Sequence, residues 1–372
     1  MDEKMMQVPN DRPRRSQRHR RKHFPWGDIM ATIFVVAICV CAFVSFGKKP
    51  QDEEPPAKAM SPAMVQTQDS MQAGPLVESI SPVIEYPEEY IQADSGQSGA
   101  VPPAPDLINT LSVEITAANA VVVNADTDTV LYQKNATEQI APASTAKMIT
   151  ALTVLEYCSP DDEMRVGAEI EMIDSDSSIA WLMQGDTLTV RQLLIALMLP
   201  SGNDAAYTLA VNAGKSIAAN NSLTDQEAVK IFMERVNEKA TQLGVTTSNF
   251  VVPDGYDADG QFTTAYDLAI IAKACLESPV ISEIVANYKS YEKWTNGREV
   301  TYNNSNKLLD PNSPYYRPEV IGLKTGTSSR GGACIVSAAV INDETYICVV
   351  MGSTKESRFQ DCINILDALE VQ

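Results

Sequence analysis

Ser144 and Lys147 stand three positions apart in Ala143-Ser144-Thr145-Ala146-Lys147. On a helix that spacing puts both side chains on one face and within reach, so an uncharged lysine amine can take the serine proton and make Ser144 a nucleophile. The residues that follow, Met148, Ile149, Ala151, Leu152, Val154 and Leu155, are apolar nearly all round, as in a helix buried in a domain core. A lysine carried into such surroundings loses hydration, and desolvation favours the neutral amine that a base requires. Ser-x-x-Lys also occurs at ordinary exposed helix starts, so other features must select between the two readings.

Composition supplies the first of these. The 372 residues include two histidines, His19 and His23, both in a basic N-terminal tail. A folded part beyond that tail has no imidazole, which excludes a Ser-His-Asp triad and His-ligated zinc, and leaves lysine or carboxylate as the base for any serine nucleophile. Cysteines at 39, 41, 158, 275, 334, 348 and 362 form no Cys-x-x-Cys pair, against a structural metal site or a dense disulfide framework. One disulfide among the last five is compatible with the sequence; small buried hydrophobes is the simpler reading. Two further short elements carry polar chemistry: Ser201-Gly202-Asn203, in a turn between two helices, and Lys324-Thr325-Gly326-Thr327, just before a strand-like run.

The elements that must position these residues begin near residue 108. Ala120 to Val123 and Val130 to Tyr132 are β-type runs flanking Asn124-Ala125-Asp126-Thr127-Asp128, a predicted hairpin. Helices are predicted over about 144–158, 190–199, 203–215, 225–243 and 264–277, with a loop over 250–260. Strands follow near 332–341 and 345–352, and a last helix over about 357–370. Strands at both ends with helices between them predict an α+β (α/β) fold, in which an antiparallel sheet is built from both termini and a helical subdomain is inserted.

Upstream, residues 1–28 hold eight basic and four acidic side chains, a net +4, against −19 for the whole chain. Ile29 to Phe46 is an uncharged apolar run long enough to span a hydrocarbon core of ~30 Å as a helix. The basic flank orients such a span with its N-terminus in the cytoplasm and the large C-terminal part outside. A cleaved signal peptide is the competing reading, with Ser45-Phe46-Gly47 at plausible cleavage positions, but the long charged leader and the segment length favour an uncleaved anchor over 29–47. A nucleic-acid arm is the weaker account of the basic tail, given the neighbouring span. Residues 48–107 hold ten of the 21 prolines with no sustained apolar period, the composition of an extended stalk. The expected organisation is therefore a tail over 1–28, a span over 29–47, a stalk over 48–107 and a folded domain over 108–372.

Ser144-Thr145-Ala146-Lys147, Ser201-Gly202-Asn203 and Lys324-Thr325-Gly326, in that order, resemble the penicilloyl serine transferases, the group of penicillin-binding proteins and serine β-lactamases. Pro200 to Ala206, Phe250 to Gly255, Thr264 to Asp267, Asn303 to Leu309 and Gly322 to Thr327 are similar to the blocks of one branch, the low-molecular-weight D-alanyl-D-alanine carboxypeptidases, over about residues 110–370. The resemblance implies the β-lactamase/transpeptidase-like fold and a hydrolase acting on the D-Ala-D-Ala end of peptidoglycan stem peptides, with β-lactams as covalent inhibitors. It implies Ser144 as nucleophile, Lys147 as proton acceptor and Ser201 as a relay from Lys147 to the leaving amine. Asn203 would orient the substrate backbone, and Lys324 would place a positive charge at the site. Thr325 would offer a hydroxyl to the terminal carboxylate, Gly326 would let substrate lie against the strand edge, and the amides of Ser144 and Thr327 would meet the oxyanion. Arg358 matches an arginine that helps hold the substrate carboxylate; read on its own it equally suits a solvated residue at the start of the last helix. The sequence departs from the pattern at Ala146, often threonine, and at Gln261, where histidine is common, which predicts an altered rate or preference and retained activity.

Neither metal nor cofactor is expected, nor nucleic acid as a partner. Related carboxypeptidases can carry a C-terminal β-rich domain and an anchoring helix; here the N-terminal span is expected to serve as the anchor. Alternatives within the fold are a D,D-endopeptidase and a class A β-lactamase, but the Glu-x-x-Leu-Asn element of the latter has no counterpart. An inactive wall-binding scaffold is a third alternative, against which every catalytic position is occupied.

Overall fold

The computed structural model describes residues 109–372. The expected tail, span and stalk lie outside the described residues. The predicted hairpin forms from β1 (Asn119–Asn124) and β2 (Thr129–Lys134). Its turn is closed by the Asn124 side chain, whose Oδ1 accepts from the amides of Asp126 (3.0 Å) and Thr127 (3.1 Å).

The predicted 144–158 helix divides in two. Residues 143–146 form a 3-10 turn that carries Ser144, and α1 (Lys147–Tyr157) starts at the lysine. Every residue of α1 from Lys147 to Val154 is buried, as its all-round apolar pattern requires. The short strands β3 (Glu163–Arg165) and β4 (Thr187–Thr189) pair across a long loop, and β4 leads into α2 (Val190–Met198). The helices α3 (Asn203–Ile217), α4 (Asp225–Gln242), α5 (Ala265–Glu277) and α6 (Pro279–Val285) follow. Local chemistry sets their starts: Thr189 with Gln192 and Thr224 with Glu227 form capping boxes, and Ser278 caps α6 with Pro279 in its first turn.

The hairpin of β5 (Lys289–Lys293) and β6 (Glu299–Asn303) was not expected from the sequence, because its alternation is of half-buried and exposed polar residues with little apolar signal. Last come β7 (Val320–Ser328), β8 (Gly332–Ile341), β9 (Glu344–Ser353) and α7 (Ser357–Glu370). Lys324-Thr325-Gly326 therefore lies inside a strand, not before one. Two glycines and a polar run conceal that strand from a propensity reading.

The antiparallel sheet has the order β2-β1-β9-β8-β7, so the two ends of the described chain meet at its centre, as predicted. Its strands separate two cores by simple alternation. Val121, Val123, Val336, Ile347 and Val349 pack with the large helical layer. Ala120, Val122, Ile335, Cys348 and Val350 pack beneath α7. β7 is left as an edge strand, facing the turn that holds Ser144. No helix among the described residues is long and apolar enough to cross a membrane.

Candidate active site

Ser144 sits on a turn that two close approaches hold in place. A Cβ at Gly326 on β7 would lie 2.9 Å from the Ser144 amide nitrogen, and one at Gly255, whose φ is +79°, would lie 2.0 Å from the carbonyl oxygen of Ala143. Only glycine lets a strand and a loop close on the nucleophile from two sides. At Gly326 what lies against the strand is the backbone of the Ser144 turn.

Lys147 is fully buried, and its Nζ donates to Ser144 Oγ (2.9 Å), Asn203 Oδ1 (2.7 Å) and the Asp254 carbonyl oxygen (2.6 Å). Burial lowers its pKa to about 8, against the opposing charges of Asp254 and Asp204. Two of its three partners, the Asn203 and Asp254 oxygens, can only accept. A neutral amine has two N–H groups and one lone pair, so these two acceptors hold both hydrogens and the lone pair is left facing the Ser144 hydroxyl. The arrangement can therefore abstract the serine proton without rearranging the lysine.

Each partner of Lys147 is itself fixed. Asn203 opens α3, its Nδ2 donates to Ser177 Oγ (2.9 Å) and its amide to the Ser178 carbonyl (2.8 Å), so its carboxamide is committed to Lys147 and Ser177. Asp254 lies in the irregular segment between Phe250 and Gly260, clasped by Gln261. Gln261 Oε1 accepts from the amides of Val251 (3.1 Å) and Val252 (3.0 Å), and its Nε2 donates to the Tyr256 carbonyl (2.6 Å). Thr150, one turn beyond Lys147, adds a bond to the Pro253 carbonyl (2.7 Å). The buried carboxyls of Asp204 and Asp254 are both pushed up by desolvation.

Ser201 lies beside this group in the left-handed region, with φ 69°, and is buried. Its Oγ has no hydrogen-bond partner among the described residues, and the bond expected between it and Lys147 is taken by Asn203 instead.

On the other side, Lys324 is also fully buried, but its Nζ donates only to the carbonyl of Thr325 (3.0 Å) and meets no acidic side chain among the described residues. Burial, then the charges of Lys147 and Arg358, push it well below the ordinary lysine range. These surroundings disfavour the charged form of the amine. An anion in the cleft would reverse this.

The Thr325 hydroxyl pairs with Ser305 Oγ (2.7 Å) and Thr325 is buried, whereas Thr327 is exposed. Arg358 is not a solvated helix-start residue. Its Nη1 donates to the Gly326 carbonyl (2.7 Å), Thr327 Oγ1 (3.2 Å) and the Cys334 carbonyl (3.2 Å), and its guanidinium stacks on Phe359 (4.8 Å). Its Nε is buried with no partner among the described residues. Lys147, Lys324 and Arg358 thus lie near enough to influence one another's ionisation, a cluster of basic side chains in a chain of net charge −19.

The structure brings Ser144, Lys147, Asn203 and Gly326 into direct contact, with Ser201 in the turn that ends at Asn203, Lys324, Thr325 and Thr327 on the strand that carries Gly326, and Arg358 bonded to Gly326 and Thr327. Sequence reasoning missed Ser177, the Asp254 carbonyl and Ser305. Phe250 to Gly255 and Asn303 to Leu309 were recognised as blocks, which marked the segments without the roles. The five cysteines of the described residues are buried and unbonded, as small apolar residues would be. No cluster of three or more His, Cys, Asp or Glu able to hold a metal occurs among the described residues.

A family model described as D-alanyl-D-alanine carboxypeptidase matches residues 106–355. D-alanyl-D-alanine carboxypeptidase DacF of Bacillus subtilis is 29% identical over 256 residues, 68% of this chain and 61% of that protein. The D-alanyl-D-alanine carboxypeptidase of Streptomyces sp. strain K15 is 32% identical over 263 residues, 68% of this chain and 87% of that one. The match to DacD of Escherichia coli, 32% identical, spans 59% of that relative, so the chain covers about three-fifths of the length of two of these three. Among solved structures, the Streptomyces K15 DD-transpeptidase superposes with a TM-score of 0.63 at 31% identity, over 70% of this chain and 98% of that chain. The ampicillin-bound penicillin-binding protein D2 of Listeria monocytogenes, 24% identical with a TM-score of 0.56, shares the fold.

Proposed function

Because the chain belongs to the D-alanyl-D-alanine carboxypeptidase family, we propose that it removes the terminal D-alanine from peptidoglycan stem peptides through an acyl-enzyme on Ser144. The observation that carries this reading is the 2.9 Å contact between Lys147 Nζ and Ser144 Oγ, with two acceptor-only oxygens as the other partners, so that the amine once deprotonated turns its lone pair to the serine. Lys147 takes the serine proton as Oγ attacks the carbonyl between the two D-alanines. The amides of Ser144 and Thr327 receive the developing oxyanion, a role supported by the close packing of Gly326, the residue before Thr327, on the serine turn. The proton taken up by Lys147 is passed on through Ser201, whose hydroxyl accepts it while giving its own proton to the departing amine, so that D-alanine leaves and both Lys147 and Ser201 end neutral. Lys324, the Thr327 hydroxyl and Arg358 receive the substrate's terminal carboxylate, which supplies the counter-charge that the buried Lys324 lacks. Water then attacks the acyl-enzyme and restores Ser144.

β-Lactams acylate the same serine in this reading and block it. The apolar run Ile29 to Phe46 anchors the protein in the cell membrane with residues 1–28 in the cytoplasm, and residues 48–107 give the enzyme reach toward the cell wall. The test is incubation with a synthetic stem pentapeptide followed by mass spectrometry. Loss of one alanine by the wild type and none by Ser144→Ala is expected. An unchanged pentapeptide, or cleavage that survives Ser144→Ala, contradicts the proposal.

A further inference from the structure

Trp181 is a large apolar residue displayed to solvent, 67% exposed, between the fully buried Ala180 and the buried Leu182. Its φ of 62° is one that a residue with a side chain keeps only where its surroundings impose it. Those surroundings are specific. The amides of Ala180 and Leu182 both donate to the buried Asp204 carboxylate (2.8 and 3.0 Å), Tyr302 Oη donates to the Ala180 carbonyl (2.7 Å), and Arg298 Nη2 donates to the Trp181 carbonyl (2.9 Å). Asp204 directly follows Asn203, the partner of Lys147. Ala180 packs on the 201–203 turn so closely that a Cβ at Gly202 would lie 2.6 Å from its own Cβ. The indole is therefore presented one residue from the wall of the cleft, and Met183, 58% exposed, continues its apolar surface. Burial of its two neighbours turns this position outward, but nothing in that packing requires the residue displayed there to be an indole.

We propose that Trp181 is a specificity-determining residue that covers the aliphatic side chain of the stem-peptide residue preceding the two D-alanines. The inference rests on the carboxypeptidase reading. With the substrate carboxylate on the Lys324 and Arg358 side and the scissile carbonyl at Ser144, the rest of the peptide leaves along the wall formed by residues 177–183. An indole face suits a chain of methylenes, while a charged end on that chain stays in water.

The test measures alanine release by the full chain from two substrates that differ in one residue, acyl-L-lysyl-D-Ala-D-Ala and acyl-glycyl-D-Ala-D-Ala, with wild type, Trp181→Gly and Trp181→Phe. Glycine is at ease at positive φ, so Trp181→Gly removes the platform without straining the loop. Trp181→Asn, another side chain tolerated there, gives the same readout if the glycine variant does not fold. Equal rates of Ser144 labelling by a fluorescent penicillin establish that the site is intact in each variant. The wild type is expected to prefer the lysyl peptide by about tenfold in kcat/KM, in keeping with an aromatic contact. Trp181→Gly is expected to lose that preference through a higher KM for the lysyl peptide alone, while Trp181→Phe keeps most of it. A Trp181→Gly enzyme as selective as the wild type, a wild type without preference, or a KM raised equally for both peptides overturns the inference. A wild type that releases alanine from neither peptide overturns the carboxypeptidase reading instead.

Discussion

Lys147 and Lys324 are both fully buried in one cleft, yet the regions that enclose them are built differently. Around Lys147 the protein supplies everything an amine needs: two acceptor oxygens, a serine hydroxyl and the charges of Asp204 and Asp254 nearby. Its pKa is lowered only to about 8, because the desolvation is partly offset. Around Lys324 there is one backbone carbonyl and two neighbouring positive charges, and the amine is driven much further toward neutrality. A buried charge without a partner is costly, so the first region supplies its own partners, whereas the second does so only in part, which is what the proposed carboxylate contact would make up. The lesson is that equal burial does not make two lysines alike: their neighbours decide how far each amine is pushed toward neutrality, and the proposed division of work, proton transfer by one and carboxylate binding by the other, follows that difference.

The sharpest way to break this division is Lys147→Met. With no base facing Ser144, acylation is expected to fall by about 10³-fold for every substrate, with or without a carboxylate, as followed by single-turnover acylation kinetics. Lys324→Met is expected to cost about 10²-fold in kcat/KM, and only for substrates that carry the terminal carboxylate; an amide analogue should react at nearly the wild-type rate. Equal losses on both analogues would merge the two roles. The smallest effect concerns the support of the first region. Gln261→Leu leaves the amides of Val251 and Val252 and the Tyr256 carbonyl without their common partner and loosens the segment that offers the Asp254 carbonyl to Lys147. A reduction of about three- to tenfold in the acylation rate, with retained penicillin labelling, is the expected result for a supporting contact.

The first region was legible in the sequence only through its side chains. Ser144 with Lys147, Asn203 at a helix start, and a core helix apolar on every side are readable from residue type and spacing; that Asn203 is the side chain bonded to Lys147 is not. The third partner of Lys147 is a backbone carbonyl, which any residue possesses, so nothing in the sequence at Asp254 marks it. Gly326 and Gly255 are visible as glycines, but their purpose depends on which segment packs across them, and that is settled by tertiary structure. In the second region β7 was read as the approach to a strand because Gly322 and Gly326 depress its propensity. Its place at the sheet edge comes from pairing with β8. Arg358 reads from sequence alone as the start of a helix; only the sheet beneath α7 turns it toward the Gly326 carbonyl.

The central claim is that uncharged Lys147 activates Ser144, and the pH dependence of acylation tests it most directly. The second-order rate of Ser144 acylation by a penicillin, measured from pH 5.5 to 10, reports ionisation in the free enzyme. Since the deprotonated amine is the active form and burial holds its pKa at about 8, the rate should rise about tenfold per pH unit below that value and level off above it. A rate that is flat through pH 8, or that falls as the lysine loses its proton, would contradict the account.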